Sequence, residues 1–131
     1  MLVTELKPQF SRNKSYYGKA LVITLDNGVK MLQSYETIVC IILPEKEGKV
    51  EVIMPWMNWS LTTGKHTWDF LLQNNIHSKD LYGFLSFAEF MRWIGQFTWD
   101  VKEEKITETD DNTWVRELQN PAKAIDNFKE L

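Results

Sequence analysis

Apolar positions in the first half of the chain fall into runs with the length and spacing of β-strands. The run ALVITL at 20–25 is β-branched and apolar, and Asp26-Asn27-Gly28 separates it from 29–33. In that second run Val29, Met31 and Gln33 point to one side, Lys30 and Leu32 to the other. Asn-Gly between two apolar runs predicts a hairpin with a type I′ turn, in which both central residues take φ > 0. Residues 37–43, TIVCIIL, are apolar without a break, as in a central strand covered on both faces. After the polar turn PEKEG, KVEVIM at 49–54 alternates like an antiparallel partner, and Pro55 ends it by withdrawing a backbone donor.

The period then changes. Trp68, Leu71 and Leu72 recur at helical spacing and predict a helix over 63–74, capped by Thr62 or Thr63 and ended by Asn74-Asn75. Ser86 and Glu89 form a capping box for a second helix over 86–94, with Phe87, Phe90, Met91 and Ile94 as its apolar stripe. Loose alternation at 98–109 reads as an edge strand or hairpin. Pro121 opens a tail in which Ala124, Ile125 and Phe128 are helically spaced. Residues 1–19 show little periodicity and are expected as a flexible arm. The fold expected is a single α+β domain over 1–131: an antiparallel β-meander of about four strands packed against two or three helices, with the 63–74 and 86–94 helices on one face.

A chain of 131 residues can bury a core without a metal or disulfide staple. Its 44% apolar and 25% charged content are those of a soluble globule. The net charge of −3, with no polybasic block, argues against a strong non-specific grip on nucleic acid. One cysteine, Cys40, excludes an internal disulfide and fits a cytoplasmic location; neither a secretory leader nor a membrane-spanning run is visible.

Chemistry-bearing residues are few. Thr62-Thr63-Gly64-Lys65 resembles the end of a phosphate loop, but Trp59 stands where its first glycine belongs and His66 where the magnesium-binding hydroxyl belongs. His66 and His77, eleven positions apart with a helix end between them, do not form a zinc pair. His66 therefore reads as a packed or capping residue, and Cys40 as a small buried hydrophobe. Glu108, Asp110 and Asp111 lack the glycine and terminal glutamate of a calcium loop. No catalytic residue, cofactor or metal is assigned. Two surface candidates remain. One is the arm containing Lys7, Arg12, Lys14, Tyr16, Tyr17 and Lys19, which has the cations and aromatics of a single-stranded nucleic-acid binder; its alternative is an arm whose tyrosines pack on the sheet edge. The other is the connector containing Trp56, Met57 and Trp59, either a small second core or an apolar anchor for a partner, with Glu103, Glu104 and Asp111 of the acidic C-terminal third at its rim.

The segment Ser34-Tyr35-Glu36-Thr37-Ile38-Val39, followed by Thr62-Thr63 and His66 and then Phe70-Leu71-Leu72-Gln73, resembles a group of small uncharacterised proteins. These are encoded by phages and mobile elements of Gram-positive bacteria and carry an SY(D/E)TIVA strand before a TTxxHxxxFLxQ helix. Tyr17-Gly18-Lys19-Ala20 and Asn27-Gly28 resemble them too, so the likeness spans about residues 16–73. Cys40 and the bulky Trp56–Trp59 insert depart from the pattern. The resemblance implies an accessory phage product. The function expected is non-catalytic binding of a host protein, such as inhibition of a defence nuclease in the anti-CRISPR manner. The alternatives are a single-stranded nucleic-acid-binding module and an enzyme built around His66 and Lys65.

Overall fold

The structure is a computed structural model and describes residues 1–55, 60–76, 95–108 and 115–130. Seven strands form one antiparallel sheet whose spatial order is the order of the sequence. They are β1 (Leu2–Glu5), β2 (Ala20–Thr24), β3 (Lys30–Ser34), β4 (Thr37–Ile42), β5 (Lys49–Met54), β6 (Gly95–Asp100) and β7 (Lys105–Glu108). Helix α1 (Leu61–Gln73) follows β5; a 3-10 helix (Val115–Gln119) and helix α2 (Pro121–Phe128) follow β7. The α+β class and the 20–54 meander are those expected from the sequence. The sheet has more strands than expected, because β1 forms within the supposed arm and 95–108 makes a full hairpin. The expected 86–94 helix lies outside the described residues.

The two faces of the sheet carry separate cores. On one, Leu32, Val39, Cys40, Ile42, Val52, Met54, Phe97 and Trp99 pack with Phe70 and Leu71 of α1. On the other, Ile23, Met31, Ile38, Ile41 and Ile53 pack with Leu118, Ala124 and Phe128 of the C-terminal helices. The C-terminal helices, for which the sequence suggested no face, thus roof the side opposite α1, and β4 is apolar throughout because both its faces are covered. A bulge lets one strand serve both cores. Leu32 pairs with Cys40 and Gln33 with Ile38, so Val39 is the extra residue and lies on the same face as Cys40.

The turns also differ from the simplest reading. Asn27 does not have positive φ; Gly28 alone does, at +92°. Gly28 N–H bonds to Leu25 C=O and Leu25 N–H to Val29 C=O, which makes a three-residue loop closed by a glycine bulge instead of a type I′ turn. Asn27 is thereby freed to donate from Nδ2 to Phe128 C=O at 2.7 Å, tying the hairpin to the end of α2. The paired positive φ angles of type I′ occur instead at Glu47-Gly48 and at Tyr17-Gly18.

Helix α1 is capped by Ser60, not by either threonine: Ser60 Oγ accepts from Thr63 N–H at 3.1 Å. Its far end closes in a Schellman motif. Asn75 takes φ +64°, Ile76 N–H reaches Leu71 C=O, and Asn75 N–H reaches Leu72 C=O.

Candidate functional site

Helix α1 lays more than an apolar stripe on the sheet. Thr63, His66, Asp69 and Gln73 recur at intervals of three and four, so they share one flank of the helix. That flank faces the 6–19 loop and the β3–β4 turn, and the first three of these residues are buried. Burying so many polar groups is tolerable only when their hydrogen bonds are met.

Around Asp69 they are met in full. This carboxylate, 1% exposed, accepts Gln9 N–H at 3.1 Å, Phe10 N–H at 3.3 Å, Tyr16 O–H at 2.8 Å and Gln73 Nε2–H at 2.6 Å. Tyr16, having given its proton to Asp69, accepts from Ser11 Oγ at 2.9 Å. Burial, reinforced by the neighbouring Asp69 and opposed by Ser11, pushes the Tyr16 phenol up to about 12. Gln73 also donates to Lys7 C=O at 2.9 Å. One helical carboxylate thus holds the backbone of a loop some sixty positions earlier in the chain.

Around His66 a second chain of bonds runs from the helix cap. Ser60 Oγ donates to Thr63 Oγ1 at 3.2 Å, Thr63 Oγ1 meets Ser34 Oγ at 3.0 Å, and Ser34 Oγ meets His66 Nδ1 at 2.8 Å. Ser34 has one hydroxyl proton to give and stands between Thr63 Oγ1 and His66 Nδ1, joining the helix cap to the imidazole. This chain of bonds engages the imidazole at Nδ1. Its Nε2 has no hydrogen-bond partner among the described residues. The ring is fully buried, edge-to-face against Tyr16 at 4.5 Å and under Tyr35 at 6.1 Å. Desolvation by burial, only partly offset by Asp69, lowers its pKa to about 4. Ser34 and His66 sit at nucleophile–base distance, yet both are closed to solvent, so no substrate carbonyl reaches Ser34 in this arrangement.

The residues singled out in the sequence are distributed as follows. Tyr16 is buried against His66 and is not a stacking surface, which corrects its place among the nucleic-acid candidates. Lys7, Arg12, Lys14, Tyr17 and Lys19 are exposed. Glu103 and Glu104 are exposed in the β6–β7 turn, away from the network. Trp56, Trp59, Asp111 and His77 lie outside the described residues. Cys40 is buried in the sheet, which pushes its thiol up and leaves it inert. Sequence reasoning missed Ser34, Tyr16 and Tyr35 as neighbours of His66, and Asp69 as the acceptor that holds the 6–19 loop. The signal was present as the polar stripe 63–66–69–73, one step beside the apolar stripe. Among the described residues, no three His, Cys, Asp or Glu side chains cluster as a metal site. No described helix is long and apolar enough to cross a membrane.

A family model described as a family of unknown function (DUF8033) matches residues 4–83. The match contains every residue of both hydrogen-bond chains. No curated protein and no solved structure matches the chain.

Proposed function

The chain belongs to the DUF8033 family, and we propose that it is a binding protein without catalytic chemistry, an accessory product of a phage or mobile element that acts by engaging a macromolecule of its host. The observation that carries this reading is the closure of the Ser34–His66–Asp69 cluster. Residue types that elsewhere make hydrolases are here buried, and their hydrogen bonds are spent on holding the 6–19 loop and the β3–β4 turn to α1. The histidine is kept neutral by desolvation, with its Nδ1 already occupied, which suits a structural strut better than a general base poised near neutral pH. What the network holds in place is an exposed surface.

In the form that takes a host protein, such as a defence nuclease, as partner, the exposed Glu103 and Glu104 would mimic the charge of nucleic acid and steer association. A specific observation favours a second form, in which the partner is nucleic acid: the surface held by the network gathers cations and aromatic rings. The test is a pull-down from host lysate with and without nuclease treatment, run beside a hydrolase and nuclease screen of the purified chain. Capture of a macromolecule with no turnover is expected. A turnover abolished by His66→Gln, with the circular dichroism spectrum intact, would end the reading.

A further inference from the structure

Two exposed tyrosines occupy turn positions that favour other residues. Tyr17 and Gly18 are the central pair of a turn closed by Lys19 N–H to Tyr16 C=O at 2.9 Å, with φ +53° and +73°. Asparagine and glycine are the natural occupants of such a pair. Tyr35, the first of two residues linking β3 to β4, has φ +56°, where glycine is preferred. A bulky side chain in the left-handed region is an outlier, and such strain gathers at functional sites. Neither ring is kept there to fill the core: Tyr17 is 78% exposed and Tyr35 49%. The two turns are joined, Tyr35 N–H donating to Lys19 C=O at 2.7 Å.

We propose that Tyr17 and Tyr35 are a stacking platform for the bases of a single-stranded nucleic acid whose phosphates are met by Arg12, Lys14, Lys19 and Lys65, an assignment that rests on the non-catalytic binding reading. Charge complementarity selects this partner. Between residues 6 and 19 there are four cations and no acid, in a chain whose net charge is −3. The fold adds Lys65 of α1, which lines a hollow of about 290 Å³ with Phe10 and Arg12; Phe10 is itself 55% exposed. Lys19 lines a second hollow with Tyr35 and Glu36. Among the described residues the two nearby exposed acids are Glu36 and Glu5, and Glu5 is engaged by Gly18 N–H at 2.8 Å. Aromatic faces set among cations on an ordered loop are the combination that binds single strands with little sequence preference, since every base presents a π-face. The buried network supplies the order: Tyr16, next to Tyr17, is fixed by Asp69, and Ser34, next to Tyr35, is fixed by Thr63 and His66.

The test is fluorescence anisotropy with fluorescein-labelled oligothymidylate and oligouridylate of about 20 nucleotides, beyond the span one small domain covers. Binding is expected, and it should weaken steeply between about 50 and 200 mM salt. Tyr17→Asn and Tyr35→Asn should each weaken binding about tenfold, while Tyr17→Phe and Tyr35→Phe preserve it. Arg12→Glu with Lys65→Glu should weaken binding and flatten the salt dependence. Tyr17→Asn should leave the melting temperature unchanged or raised, because asparagine accepts the left-handed conformation; a merely structural tyrosine would lower it. Failure of the wild-type chain to bind either oligonucleotide at micromolar concentration in low salt would overturn the assignment, as would wild-type affinity in the two Asn variants. Capture of a protein from nuclease-treated lysate, lost in those variants, would give the platform to a protein partner and leave the non-catalytic reading standing. A His66-dependent turnover would strike that reading itself.

Discussion

His66 should make the stability of this protein depend on pH in a narrow acid window. Its pKa is lowered from 6.5 to about 4 by burial, so the unfolded chain takes up the proton first. The imidazole's contribution is intact above pH 6.5 and is lost as pH falls towards about 4, below which it changes no further. Each pH unit over which the two states differ by one proton is worth about 1.4 kcal/mol. The loss should reach about 2 kcal/mol near pH 5 and no more than about 3.5 kcal/mol below pH 4. That is a large share of the roughly 5–15 kcal/mol that holds a domain together. Denaturant midpoints followed by tryptophan fluorescence from pH 7.5 to 4.5, for the wild type and His66→Gln, isolate the effect. Carboxylates titrate in both proteins, and the difference between the two curves belongs to the imidazole. Nitrogen-15 NMR should show a neutral ring at pH 6. A difference curve flat between pH 7 and 5, or a native titration midpoint near 6.5, would refute the argument.

Asp69→Ala removes the common acceptor of two backbone amides, a phenol and an amide. It should cost about 2–4 kcal/mol, limited because the loop can return its donors to water, and limited proteolysis should then cut within residues 9–16. Ile41→Ala empties a fully buried site between β4 and the C-terminal helices, so its denaturant midpoint should report a loss of about 2–5 kcal/mol. Ser60→Ala deletes the cap of α1 and should cost about 1 kcal/mol by the same measurement. An unchanged midpoint would move the cap to Thr62 or Thr63.

Strands β2 to β5 were legible because each carries a pattern complete within itself, and their observed bounds differ from the expected ones by at most one residue. The two-sided roof over β4 was half legible. Its unbroken run required cover on both faces, but nothing in 37–43 says which helix supplies each. The turn at 26–28 shows the limit of a dipeptide signal. Asn27-Gly28 is compatible with two hairpin geometries, and the bond from Asn27 to Phe128, 101 positions away, occurs with one of them. The polar network was hidden for a related reason. Thr63, His66 and Asp69 resemble the solvent face of a helix until Ser34 and Tyr16 are placed opposite them, and those partners lie 32 and 53 positions from the residues they bond. Strain at Tyr17 and Tyr35 is likewise a property of backbone angles that residue type alone argues against.

Because the sheet follows sequence order, each strand pairs with its chain neighbour, and the meander can assemble hairpin by hairpin at small loop-closure cost. The clamp between the 6–19 loop and α1 is a contact of the opposite kind, spanning about sixty positions and resting on the Asp69 carboxylate and the Gln73 amide. It can open while the ladder stays intact. The amides of Gln9 and Phe10 would then exchange with solvent deuterium through a cheaper, partial opening, ahead of the amides at the centre of β4. A surface carried by such a clamp is ordered in the resting protein and yet free to reshape around whatever it meets, with the sheet beneath it serving as an unmoving foundation.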